Sequence, residues 1–161
     1  MTRRSVGFTL IELLVVVAIG AILAGLAVLS LGGWQSDDDP ERQLARLAAL
    51  LQVQCEQALF QSRPRGIRLT ADGFDFWQAG SAGWGKVPGD GVSRARAWAG
   101  DPELVLFVDG RRQLLDEQGD RPQIVCQPLG EITPFELELR RPGSRARLSV
   151  SAGRQVNLEV G

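Results

Sequence analysis

The sequence predicts an α+β protein: an N-terminal transmembrane helix continues, with a kink or break, into an amphipathic helix packed on a mostly antiparallel, β-sandwich-like domain. Three observations support this. A long apolar run lies near the N-terminus, a later stretch carries apolar residues at steps of three and four, and the second half alternates apolar and polar residues in short runs. The 161 residues leave room for one domain of ordinary size beside the first helix.

Composition excludes several classes of function. Hydrophobic residues make up 44% of the chain and charged residues 23%, which is typical of a globular protein. The formal net charge is -1, so the total charge does not indicate a nucleic-acid partner. Histidine is absent, which removes Ser-His and Cys-His catalysis and the usual zinc sites. We therefore predict no enzyme activity, no catalytic residue, no cofactor and no metal site.

The apolar run has the length and flanking charges of a membrane helix. No charged residue occurs from Leu13 to Leu31, and as a helix this run is about 28 Å long. Arg3 and Arg4 precede it and three aspartates, 37–39, follow it. The positive-inside rule then places the N-terminus in the cytoplasm and the rest of the chain outside. The run is too long for a secretory signal peptide.

Glu12 stands at the head of this run. A charged side chain in lipid costs roughly 2.5 to 3.5 kcal/mol on insertion scales. Glu12 therefore needs either a partner of opposite charge or a position from which it reaches the cytoplasmic interface.

A break and a second helix follow. Residues 32–40 indicate a linker or kink, in which Asp39 caps the second helix and Pro40 occupies its first position. Pro64 ends the helix. The apolar stripe of this helix, which we expect to pack on a sheet, consists of Leu44, Leu47, Ala48, Leu51, Cys55, Ala58 and Leu59.

The rest of the chain indicates about seven strands. "IRLTADGFDFWQ" predicts a hairpin with Phe74 and Phe76 on one face and Trp77 on the other. "ELVLFVDG" and "QIVC" indicate two more strands. The last three strands alternate, and the residues that share one face of each strand are Phe135, Leu137 and Leu139, then Ala146, Leu148 and Val150, then Val156, Leu158 and Val160. Residues 79–102 receive no assignment.

The N-terminal stretch "GFTLIEL", after a short basic leader, resembles the processing site of type IV pilins and type II secretion pseudopilins. The resemblance implies that a prepilin peptidase cuts between Gly7 and Phe8 and that the new amine of Phe8 is methylated. It also implies a role for Glu12, whose carboxylate would meet the N-terminal ammonium of a neighbouring subunit during assembly. Pairing would remove the cost of a lone charge in lipid.

The stretches "DGFDFW", "LFVDGR" and "PQIVCQPLGEITPFELEL" resemble the minor pseudopilin H family of type II secretion systems and its relatives among type IV minor pilins. The resemblance implies a pilin-like fold with a leader peptide (1–7), a transmembrane and filament-core helix (8–31), a linker or kink (32–40) and a periplasmic domain (41–161). It implies a structural subunit near the tip of a periplasmic filament, which helps to start filament assembly and protein export.

The resemblance further implies a single-pass protein of the bacterial inner membrane. Its partners would be other minor pseudopilins, the major pseudopilin, the prepilin peptidase, the inner-membrane assembly platform and the lipid bilayer. Two alternatives stay open from the sequence: a minor pilin of a type IV pilus with a DNA-binding role in uptake, and a plain membrane-anchored periplasmic domain.

Two further groups of residues allow more than one interpretation. Cys55 and Cys126 could both point into the core, either as a disulfide worth about 4 kcal/mol or as two buried thiols. A second group, which we call the arginine cluster, could bind phosphates of DNA or a partner subunit. No aromatic residue lies among these arginines, which favours a solvated face or an acidic partner over nucleic acid. The arginine cluster consists of Arg140, Arg141, Arg145 and Arg147.

Overall fold

A computed structural model describes residues 10–31, 38–89, 91–115 and 119–161, with the side chains of the first helix described as far as Ala21. The chain divides into two compact units, Met1–Ser36 and Asp37–Gly161. We describe each unit by itself.

The first unit contains helix α1, Leu10–Leu31. Its apolar side chains are exposed over the described part, including Leu10 at 84% and Ile11 at 71%. Within the described residues no helix has the length and apolar character needed to cross a membrane. The membrane span proposed for residues 8–31 stays a prediction, and most of the 32–40 linker lies outside the described residues.

The second unit begins with helix α2, Pro40–Gln61, whose ends agree with the sequence signals. The Asp39 side chain accepts a hydrogen bond from the backbone N–H of Glu41 at 3.1 Å, and Pro40 occupies the first turn, so the predicted cap is confirmed. Ser62 ends the helix in a left-handed conformation, and its N–H reaches the last turn.

Ten strands in the described residues form two five-stranded sheets. In sheet 1 the order is β3-β2-β1-β7, with β4 also paired to β2. In sheet 2 the order is β10-β9-β8-β5-β6. All neighbouring strands are antiparallel. The strands are β1 (Arg65–Leu69), β2 (Gly73–Gly80), β3 (Gly83–Lys86), β4 (Arg96–Ala97), β5 (Glu103–Val108), β6 (Arg111–Gln113), β7 (Ile124–Cys126), β8 (Phe135–Arg141), β9 (Ser144–Val150) and β10 (Val156–Val160).

The core lies where α2 packs on both sheets, and the alternation read from the sequence places most of its residues. Phe74 and Phe76 of β2 lie inside and their rings meet edge to face, with centroids 5.8 Å apart. The predicted α+β fold with a helix on antiparallel sheets is confirmed. The inward residues of β8 and β9 are all buried: Phe135, Leu137, Leu139, Ala146, Leu148 and Val150.

The structure corrects the sequence interpretation at the end of α2. Leu59 was expected in the buried stripe, but 42% of it is exposed, whereas Ala58 is fully buried. The reason is geometric, because the last turn of a helix can extend past the sheet that covers the earlier turns. A periodic pattern does not report where that cover ends.

Candidate assembly surface

Apart from Glu12, the described side chains of α1, from Leu10 to Ala21, are apolar on every side of the helix. Its exposed large residues carry only aliphatic side chains, and Glu12 lies in the first turn as the one acidic residue of that turn. A helix that is apolar all round is stable only where lipid or other helices cover it. Gly7 and Phe8, the predicted processing residues, lie outside the described residues.

The start of α2 is held by a network that the sequence did not reveal. The Gln43 side chain donates to the backbone carbonyl oxygens of Asp38 and Ala99 at 3.1 and 3.0 Å, and its own oxygen accepts from the Ala99 N–H at 2.9 Å. Arg141 donates to the Asp38 carbonyl oxygen at 2.8 Å and pairs with its carboxylate at 2.7 Å. These bonds tie the first turn of α2 to sheet 2 and to the segment before β5.

The other three members of the arginine cluster surround one acidic side chain. Glu138 lies on the outer face of sheet 2 with 6% of its side chain exposed. Its oxygens lie 2.7 Å from Arg140, 3.6 Å from Arg145 and 3.1 Å from Arg147. The strand register explains this, since Glu138 is directly opposite Arg147 in the β8–β9 pair. Each of the four arginines therefore already has an acidic partner within the unit.

Glu138 should make stability depend on acid pH. The hydrogen bond from Arg140 lowers the pKa of Glu138 more than burial raises it, and Arg147 lowers it further. Because the folded pKa lies below the unfolded value of about 4.3, the stabilisation is present above that value and is lost as pH falls through the folded pKa. We expect Glu138→Gln to flatten the loss of unfolding free energy below about pH 5, measured by denaturant titration at several pH values.

Glu136→Gln is the matched control, because Glu136 lies on the same strand and the same face but is exposed. It should leave the acid dependence of the unfolding free energy as in the unmodified chain. An equal flattening by both substitutions would contradict the assignment to Glu138.

The two cysteines meet across the core. Cys55 of α2 and Cys126 of β7 form a disulfide in the structure, with Cα atoms 5.0 Å apart and 71 residues of separation in sequence. Of the two interpretations left open above, the structure contains the bonded one. The bond joins the helix to the edge of sheet 1.

A second polar group, also missed from the sequence, covers the outer face of sheet 1. Asp75 receives hydrogen bonds from Arg68 at 2.7 Å and from the Trp77 indole at 2.6 Å, and it pairs with Lys86 at 3.0 Å. Burial would raise the pKa of Asp75, but these donors together lower it. Arg68 and Asp75 are direct cross-strand partners, so this pair can be predicted from the sequence once the hairpin register is known.

Buried polar residues also join α2 to sheet 1. Arg65 is buried, with 5% of the residue exposed. Its guanidinium donates to the side-chain oxygens of Gln54 at 2.8 Å and Gln61 at 3.2 Å. Gln54 in turn donates to the Ser93 hydroxyl at 3.1 Å. Burial lowers the pKa of Arg65. No group of three acidic or cysteine side chains that could hold a metal occurs in the part of the chain that the structure describes.

The exposed apolar side chains of α1 are the part of the described surface that needs cover from lipid or other helices. Residues 43–154, more than half of the chain, match the family model described as Type II transport protein GspH. The chain belongs to the type II secretion system protein H family. Residues 3–28 match the model described as Prokaryotic N-terminal methylation motif.

Relatives named type II secretion system protein H cover nearly the same length as this family member. The protein from Pseudomonas aeruginosa is 36% identical, and the alignment covers 93% of this chain and 92% of the relative. The protein from Pectobacterium carotovorum subsp. carotovorum is 32% identical, with 84% of this chain and 81% of the relative covered.

Solved structures of the protein H family share the fold. The crystal structure of the minor pseudopilin EpsH from the type II secretion system of Vibrio cholerae gives a TM-score of 0.64 at 20% identity, covering 76% of this chain and 97% of that one. The solution structure of Escherichia coli GspH gives a TM-score of 0.57 at 22% identity, covering 73% and 84%. The α+β arrangement of α2 on two sheets is therefore a pseudopilin fold.

Proposed function

We propose that this protein H family member is a minor pseudopilin, a structural subunit near the tip of the type II secretion pseudopilus that helps to start filament assembly and protein export. The methylation-motif match over residues 3–28 carries the proposal, because it stands in the same chain as the protein H domain. Its partners are other minor pseudopilins and the major pseudopilin. The prepilin peptidase and the inner-membrane assembly platform act on it before and during assembly.

Membrane anchoring and processing belong to the same proposal. The chain is anchored in the inner membrane by residues 8–31, with a cytoplasmic N-terminus and a periplasmic α+β unit. Cleavage after Gly7 and methylation of Phe8 give the mature subunit. The Cys55–Cys126 disulfide agrees with this location, since disulfides form and persist outside the cytoplasm.

The DNA-binding alternative has less support. A phosphate-binding surface needs arginines whose charge is available to the ligand. Glu138 and Asp38 pair with all four arginines of the cluster. In this arrangement the arginines stabilise their own unit through ion pairs.

Replacement of Glu12 tests the assembly role. Glu12→Ala should lower incorporation into the pseudopilus at least about tenfold, because the ammonium of the neighbouring subunit would lose its partner in an apolar surrounding. The measurement is the fraction of the chain that co-purifies with isolated filaments, relative to its amount in the membrane fraction.

Two control variants make this test specific. Ile11→Ala shortens a neighbouring exposed side chain and keeps the charge, and Glu12→Asp keeps the carboxylate, so both should incorporate better than Glu12→Ala. Intact-mass measurement should show a methylated Phe8 terminus in every variant, which separates assembly from processing. Normal incorporation of Glu12→Ala would contradict the charge-pairing role.

A further inference from the structure

One edge strand of the α+β unit differs from the other edges that the structure describes. Most edge strands carry features that prevent pairing with another chain, such as charge, glycine or short length. At the far edge of sheet 2, β6 has the sequence Arg-Arg-Gln, and at one edge of sheet 1, β3 has the sequence Gly-Trp-Gly-Lys. The remaining edge strands of sheet 1, β7 and β4, are three and two residues long. By contrast β10 reads Val-Asn-Leu-Glu-Val, with apolar residues at alternate positions.

The backbone of β10 presents unused hydrogen-bonding groups along its outer side. Arg145 and Gly161 exchange both backbone hydrogen bonds, and the Ser151 N–H donates to the Gln155 carbonyl oxygen at 3.1 Å. In an antiparallel pair bonded and non-bonded positions alternate, so Asn157 and Glu159 also bond to β9. Three residues of β10 therefore have N–H and C=O groups that point away from β9: Val156, Leu158 and Val160. No described residue bonds to these backbone groups.

An apolar groove lies beside this edge, and Val156 is the residue of β10 that lines it. Val156 is 55% exposed and Val160 is 62% exposed, although their partners on β9, Val150 and Ala146, are buried. A groove of about 360 Å³ runs between α2 and this edge. Its α2 wall carries no charged side chain and consists of Ala48, Ala49, Leu51, Gln52 and Cys55.

The positive charge of Arg154 beside the groove favours an occupant with an acidic side chain. Arg154 lines the groove and is exposed, and no acidic residue in the described ranges pairs with its guanidinium. An extended segment that pairs with β10 would add a sixth strand to sheet 2 and place alternate side chains over the groove. An acidic side chain of that segment, where it passes Arg154, would form an ion pair with the Arg154 guanidinium.

We infer that β10 is the docking edge for an extended segment of a different pseudopilin subunit, with apolar side chains at alternate positions and one acidic side chain facing Arg154. The inference rests on the proposed function, since it assigns the contact to pseudopilus assembly. The edge hydrogen bonds would supply affinity, and the groove with Arg154 would supply specificity.

The experiment follows amide exchange residue by residue. The full-length chain, isotope-labelled in detergent micelles, is mixed in turn with each of the other purified full-length pseudopilins of its secretion system, and hydrogen exchange is measured by NMR. With one of them, exchange at Val156, Leu158 and Val160 should slow at least about tenfold. Asn157 and Glu159, which already bond to β9, should change little.

Variants separate edge docking from other contacts. The double change Val156→Lys with Val160→Lys should abolish the protection and weaken binding at least about tenfold, because it places two charges on the apolar edge. Val92→Lys is the matched control, since Val92 is 46% exposed elsewhere on the unit and should bind normally. Arg154→Ala should weaken binding by about two- to fivefold, the range of one exposed ion pair. Unchanged chemical shifts away from β10 will verify that each variant folds.

Three results would overturn the inference. One is binding of a subunit without protection of the three outward amides. The second is undiminished binding of the double lysine variant. The third is concentration-dependent protection of the chain by itself, which would assign the edge to a second copy. If the unmodified chain binds none of the pseudopilins, the proposed function fails as well, so the two failures are distinguishable.

Discussion

Reduction of the Cys55–Cys126 disulfide is expected to lower the free energy of unfolding by about 4 kcal/mol. The bond closes a 71-residue loop between α2 and β7, and cutting it restores conformational freedom to the unfolded chain. Denaturant unfolding of the full-length chain in detergent, followed by tryptophan fluorescence with and without reductant, measures the difference. The ring centroids of Trp98 and Phe74 lie 5.0 Å apart in the core, so the emission of Trp98 should change on unfolding.

The chain itself offers the control. It contains two cysteines, and both are in this bond, so reductant breaks one disulfide and nothing else. The double variant Cys55→Ala with Cys126→Ala should be destabilised to a similar extent and should not respond to reductant. Equal stability of the oxidised and reduced chains would show that the bond does not constrain the unfolded state.

Replacement of Phe76 by alanine is expected to cost about 3 to 5 kcal/mol. Phe76 is 1% exposed on β2, where it packs edge to face with Phe74 in the core between α2 and the sheets. Removing its ring takes away buried apolar area and leaves a cavity that the surrounding side chains fill only in part. The midpoint of denaturant unfolding at constant slope gives the loss directly.

Phe60 provides a comparison with the same chemical change. It lies near the end of α2 and is 88% exposed, so Phe60→Ala should change the unfolding free energy by less than about 0.5 kcal/mol. A loss similar to that of Phe76→Ala would mean that the last turn of α2 packs against something. A small loss for Phe76→Ala would contradict its place in the core.

Elements with strong local signals were predictable from the sequence. The Asp39 cap and Pro40 mark the start of α2, and the alternation in "FELELR" and "ARLSV" predicts β8 and β9 with their inward faces. The turn at Pro142 and Gly143 joins them, with Gly143 at a φ of +80°. In each case local propensity and burial favour the same structure.

Weak local signals left elements unassigned. Three short edge strands, β3, β4 and β6, are rich in glycine, lysine or arginine, and they become strands because a neighbour offers them backbone partners. For example, Gly73 and Phe74 of β2 pair with Ala97 and Arg96 of β4. Edge residues carry little alternation because neither face is deeply buried. The sequence therefore predicted about seven strands, where the structure has ten in the described residues.

The sequence by itself determined the family, through the "GFTLIEL" stretch and the later motifs, and also the order of helix and strands. These follow from residue chemistry and local spacing. Tertiary structure alone decided the joining of Cys55 to Cys126, the pairing of Glu138 with the arginines around it, and the exposure of the β10 edge. Each of these depends on which distant segments the sheet register brings together, and register is set by the packing of the whole core.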